Sequence, residues 1–162
     1  MLLRADSLTA THAIAAVLAG LARPGDLIAL AGEMGAGKTA FAQGFGQALG
    51  VTEPITSPTF TLVHSYQCGK ITFHHVDVYR LERTAEVADL ALGELAEFAG
   101  IVLVEWGDVV AASLGDHLVV RLEFVEGDED DADARLVEVA PSGSSWASRW
   151  DRLSVGLGEW RC

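Results

Sequence analysis

The eight residues GEMGAGKT at 32 to 39 constrain this chain more than any other stretch. They match G-x-x-x-x-G-K-[ST] and follow a short apolar run, Leu27 to Ala31, that reads as a strand. After them Phe41, Phe45 and Leu49 recur at helical spacing until Gly50. In the order strand, glycine loop, helix, the glycines Gly32, Gly35 and Gly37 let successive backbone N–H groups turn toward an anion. The helix N-terminus adds a favourable field there. Lys38 is expected to reach the β and γ phosphates of a nucleotide, and Thr39 to offer its hydroxyl to Mg2+.

The rest of the chain reads as a setting for that loop. Ile14, Val17, Leu18 and Leu21 follow the i, i+3, i+4, i+7 rule, Asp6 or Ser7 can cap the start, and Arg23-Pro24-Gly25 stops the helix. Residues 53 to 60, EPITSPTF, carry two prolines that disfavour regular structure. Residues 61 to 80 read as two strands around a Gly69 turn, a β-hairpin. Residues 81 to 99, rich in Leu, Ala and Glu, predict a helix broken at Gly93. Ile101 to Val104 form an apolar run ended by Glu105, as in a central strand covered on both faces. A C-terminal hairpin with an acidic tip and a short final helix complete the reading. The fold class is α/β, P-loop NTPase-like: a mostly parallel central sheet flanked by helices, with antiparallel hairpin additions, in a single domain over 1–162.

Charge and composition exclude several functions. The net charge is −12, and removing the six carboxylates of residues 126 to 133 still leaves −6, so independent binding to DNA or RNA backbones is not expected. There are only two lysines, and one of them sits inside the glycine loop. No apolar run reaches the roughly 18 residues of a membrane span, and the first residues lack a signal-peptide pattern, so a cytoplasmic protein is expected. Cys68 and Cys162 are far apart and in no ligand-like spacing.

Further candidates follow from position. Glu105 ends its strand where carboxylates meet ligands in open α/β sheets, making it a candidate for Mg2+, directly or through water. For Glu105 alone, a solvated strand end competes closely with that role. Trp106 lies beside it, near the nucleotide end. In FHHVDVYR, alternation along a strand puts His75 and Asp77 on one face and His74 on the other, so three convergent metal ligands are not available. His75 with Asp77 can instead orient water or Mg2+. Thr59, in SPTF after the loop helix, occupies the place of a switch threonine. The guanine-specifying N-K-x-D pattern needs an asparagine and the chain has none, which favours ATP over GTP.

Together GEMGAGKT, SPTFTLV, HVDVYRL and EW, in that order, resemble the bacterial TsaE (YjeE) family, small P-loop ATPases that work with TsaB and TsaD to make threonylcarbamoyladenosine in tRNA. The resemblance implies that Gly35, Ala36, Gly37, Lys38, Thr39 and Ala40 hold the ATP phosphates, with Lys38 neutralising them. Thr39 and Glu105 then resemble the Mg2+ pair, and Thr59 the switch threonine. Asp77, Tyr79 and Arg80 match an H-x-D-x-Y-R signature in which Asp77 affects hydrolysis. It further implies that Thr9 or Thr11 approaches the adenosine and that Arg135 contacts phosphate or sugar. After EW the family usually has proline, whereas this chain has Gly107 and Asp108, which predicts a looser turn beside Trp106.

The activity so implied is partner-dependent ATP hydrolysis that meets tRNA only indirectly, through the complex. A small metabolite kinase is the enzyme rival; it needs an arginine-bearing lid and cationic substrate contacts, and here the C-terminal segment is acidic and the arginines scattered. A nucleotide-dependent binding module with incidental turnover is the third reading.

Overall fold

The computed structural model describes residues 1–58, 62–80, 91–125 and 132–162. In chain order the elements are β1 (Leu2–Ala5), α1 (Leu8–Leu21), β2 (Leu27–Ala31), α2 (Lys38–Leu49), β3 (Val63–Cys68) and β4 (Ile71–Asp77). There follow α3 (Leu92–Glu97), β5 (Gly100–Glu105), a 3-10 helix (Gly107–Ser113), β6 (His117–Phe124), β7 (Arg135–Ser142) and α4 (Trp150–Gly156). Thr59, the first ten residues of the helix predicted over 81 to 99, and acidic residues 126 to 131 lie outside the described residues.

The strands form one seven-stranded sheet in the order β1, β7, β6, β2, β5, β4, β3. β6, β2, β5 and β4 run parallel. The outer pairs β1 with β7, β7 with β6, and β4 with β3 are antiparallel. A parallel centre with hairpins added at both sides is the expected α/β arrangement. β2 and β5 are buried along their whole length, as their unbroken apolar runs require.

Each face of the sheet carries a core. The larger one packs Phe41, Phe45, Ile14 and Leu18 of the two long helices on Ile28, Leu30, Ile101 and Leu103. The smaller packs Leu92, Ala96, Val110 and Leu114 on Ala29, Val76, Val102 and Val104. Successive residues of β2 and β5 thus serve opposite cores.

Some boundaries differ from the sequence reading. β1 was not anticipated; its four residues pair with β7, 130 or more positions away, and so short a strand has little local signal. Gly93 lies within α3, which follows Ala91, whose backbone is left-handed at φ 47°. Ser7 is the cap of α1, its side chain accepting from Ala10 N.

This topology delivers the loop after β2, Asp77 at the end of β4 and Glu105 at the end of β5 to one edge. β7 starts there too, since Arg135 pairs with both Phe124 and Ala5. The first turn of α1 follows Ala5 at that same edge.

Candidate functional site

The loop leaves β2 at Gly32, whose φ of 137° admits glycine and where a Cβ would stand 2.3 Å from Leu122 O on β6. Loop and sheet are therefore in backbone contact. Gly37 precedes α2 with no side chain capping the helix. The first helical bond is Phe41 N to Gly37 O, so helix geometry leaves the amides of Lys38, Thr39 and Ala40 without carbonyl partners in α2. This is an anion-receptive end.

Lys38 is folded back into its own loop: Nζ donates to Gly32 O at 2.8 Å and Glu33 O at 2.7 Å. The ammonium also lies 3.8 Å from the centroid of the Trp106 ring. Only 5% of Lys38 is exposed. Burial pulls its pKa below the ordinary lysine value, and the charges of Glu105, Asp108 and Asp77 offset part of that. Trp106 itself has φ 61°, left-handed backbone that a bulky residue rarely adopts, and its ring meets Tyr79 at 4.8 Å. The turn beside it is not loosened by the missing proline. Gly107 is buried, and a Cβ there would stand 2.6 Å from that of Ala29, so the absence of a side chain lets the turn pack onto β2.

Thr39 and Glu105 meet: the hydroxyl donates to Glu105 Oε1 at 2.9 Å. The same oxygen lies 2.7 Å from His75 Nε2, while Glu105 Oε2 has no hydrogen bond among the described residues. His75 and Asp77 share a face of β4 as alternation predicts, yet they do not bond each other. Asp77 instead accepts from Ser57 Oγ at 3.0 Å and from Tyr79 N at 2.9 Å. Ser57, next to Pro58 in the loop before β3, was missed from sequence; only its place in the SPTF stretch hinted at it. His74 points the other way, its Nδ1 2.8 Å from Ser65 Oγ.

A cavity of about 310 Å³ joins these groups, with Lys38, Thr39, Asp77, Arg80 and Glu105 on its walls. Trp106 separates it from a larger one of about 470 Å³ that reaches Gly32, Asp108, Arg121 and Glu123. The loop lysine and the Thr39–Glu105 pair open into the smaller one.

Arg135, Thr9 and Thr11 are not among the residues lining the smaller cavity. Arg135 bonds loop backbone, its Nε donating to Ala36 O at 2.9 Å, with its guanidinium 4.6 Å over the Phe124 ring. It braces the loop from β7. Thr11 is buried and its hydroxyl donates to Ser7 O at 3.3 Å, turned into its own helix, whereas Thr9 is exposed on the first turn of α1. Of the two, Thr9 is the one presented to solvent.

The donor set suits a hard cation bridged to phosphate: a hydroxyl and a carboxylate, both oxygen, adjoin the N-terminal amides of α2. No group of three or more His, Cys, Asp or Glu side chains forms a metal site among the described residues, so such an ion would need phosphate and water oxygens as well. Among the same residues no helix is long and apolar enough to cross a membrane.

Residues 5–135 match the family model described as threonylcarbamoyl adenosine biosynthesis protein TsaE. The chain is 38% identical over 144 residues to the tRNA threonylcarbamoyladenosine biosynthesis protein TsaE of Bacillus subtilis, covering 89% of this chain and 87% of that one. The protein of the same name from Streptomyces coelicolor is 40% identical over 135 residues, 81% of this chain and 90% of its own. The crystal structure of Bacillus subtilis YdiB superposes with a TM-score of 0.75 at 30% identity, covering 96% of this chain and 94% of that one.

Proposed function

The chain belongs to the TsaE family, and from that premise we propose that it binds and hydrolyses ATP with Mg2+, in the cytoplasm, to support threonylcarbamoyladenosine modification of tRNA together with TsaB and TsaD. The observation that carries this reading is the 2.9 Å contact between Thr39 and Glu105 at the mouth of the glycine loop. It brings a hydroxyl and a carboxylate, 66 residues apart, to the point where a phosphate-bound cation needs oxygen.

In this reading the amides of 35 to 40 orient the phosphates, and Lys38 exchanges the carbonyls of Gly32 and Glu33 for phosphate oxygens. When bound, Mg2+ would supply neutralisation of phosphate charge. Thr39 and Glu105 would hold it. Asp77, held by Ser57 and the Tyr79 amide, orients the attacking water, and Thr59 responds to the γ-phosphate. Thr9 and Arg135 flank the adenosine side and Trp106 the phosphate side. The net charge of −12 fits a protein that reaches tRNA only through its partners.

The deciding experiment is ATP hydrolysis by the purified protein, alone and with TsaB and TsaD from the same organism, beside Lys38→Ala. Stimulation by the partners that disappears in the mutant is expected. Turnover unmoved by partners, with a small hydroxyl compound phosphorylated instead, would replace this reading by a kinase. Tight ATP binding with negligible turnover in the complex would leave a nucleotide-dependent binding module.

A further inference from the structure

His75 is fully buried, and a buried imidazole needs a reason. Its ring lies parallel to Phe73, at 6.2 Å and 7°, so packing settles its plane. Nδ1 has no hydrogen-bond partner among the described residues. Nε2 lies 2.7 Å from Glu105 Oε1, the ring's one polar contact among the described residues. An apolar side chain of similar size would satisfy the core without leaving a nitrogen unpaired, so stability alone does not account for this residue.

The contact fixes what Glu105 can offer. Oε1 receives both the imidazole and the Thr39 hydroxyl, and among the described residues Oε2 receives no hydrogen bond in a side chain that lines the cavity beside the glycine loop. We propose that His75 is a positioning residue that occupies Oε1 of Glu105, so that the carboxylate presents a single oxygen to a nucleotide-bound divalent cation and the site favours Mg2+ or Mn2+ over Ca2+. The smaller ions accept near-octahedral sites built from one carboxylate oxygen, phosphate and water. Ca2+ takes six to eight ligands and readily uses both oxygens of a carboxylate. A donor that keeps one oxygen occupied penalises the second mode. This rests on the nucleotide site proposed above.

The test uses full-length protein loaded with a non-hydrolysable ATP analogue. Mn2+ binding is followed by electron paramagnetic resonance, and Ca2+ affinity comes from competition against Mn2+. His75→Leu removes the donor, and His75→Gln places an amide N–H near the position of Nε2. His75→Leu is expected to weaken Mn2+ binding by about tenfold to a hundredfold and to narrow the Mn2+ over Ca2+ preference, while analogue affinity in EDTA stays unchanged. His75→Gln should restore both. Should the leucine variant not fold, His75→Asn, polar but too short to reach Glu105, carries the same test. Wild-type values for both ions in the leucine or asparagine variant would overturn the proposal, as would a glutamine variant no better than leucine. Wild-type protein that takes up no Mn2+ with the analogue would sink the nucleotide-site reading itself, an outcome distinct from the first two.

Discussion

Two buried carboxylates stand at opposite ends of the central strands, and their surroundings differ in kind. Asp26, just before β2, takes Arg149 on both oxygens at 2.6 and 2.8 Å, and the Arg23 amide at 2.7 Å. Arg149 also donates to Leu21 O and Ser145 O, and its guanidinium lies 4.1 Å over Trp146. That end is closed: charge is neutralised and both oxygens are engaged. Glu105, at the other end, has Thr39 and His75 on one oxygen, no hydrogen bond on the second among the described residues, and a lysine engaged with loop carbonyls nearby. The chain joins its C-terminal segment to the core with a two-pronged ion pair on both Asp26 oxygens and keeps a carboxylate without a cationic partner for the edge where loop, helix and strand ends converge.

Matched substitutions should separate the two. Asp26→Asn leaves Arg149 buried without a counter-charge and should destabilise the fold by about 3–5 kcal/mol in urea unfolding. A neutral result there would break the comparison. Glu105→Gln retains an acceptor for Thr39 and His75, so unfolding should shift by less than about 1 kcal/mol. Mg2+-dependent ATP turnover should instead fall by at least about 100-fold, because a neutral amide replaces a cation ligand. Loss of stability in place of activity would make Glu105 another structural anchor.

Smaller effects sharpen the picture. Trp106→Leu removes the ring over Lys38 and should weaken ATP binding by about three- to tenfold, in line with a cation–π contact of roughly 0.5–1.5 kcal/mol. Titration calorimetry checks it, and unchanged affinity would reduce Trp106 to a cover. At the closed end Asp116 accepts from Ser144 N at 2.8 Å and Ser144 Oγ at 3.0 Å, and these bonds hold its pKa below the ordinary carboxylate value. With the folded value depressed, the stability it adds is present above the ordinary carboxylate pKa and is lost as pH falls through the lowered one. Melting temperatures from pH 5 to pH 2 should therefore fall slightly less steeply in Asp116→Ala. An identical slope would leave these bonds without a role in acid stability.

Much of this was legible from neighbouring residues. The strand, glycine loop and helix around Lys38, the Gly69 hairpin and the apolar strand ending at Glu105 each announce themselves within about ten positions, because backbone preference and burial period act locally. Alternation along β4 correctly put His75 and Asp77 on one face. It could not say that His75 turns to Glu105 and Asp77 to Ser57, nor that the hydroxyl of Thr11 folds back on its own helix while Arg135 grips loop carbonyls.

By itself, then, the sequence determined the phosphate loop, the α/β class and the family, since those depend on residue types at fixed short spacings. Tertiary structure alone decided the partners: Thr39 with Glu105 across 66 residues, His75 with Glu105 across 30, Asp26 with Arg149 across 123. Such pairs exist only once the strand order is set, and strand order follows from how distant apolar faces bury one another, for which no local spacing codes.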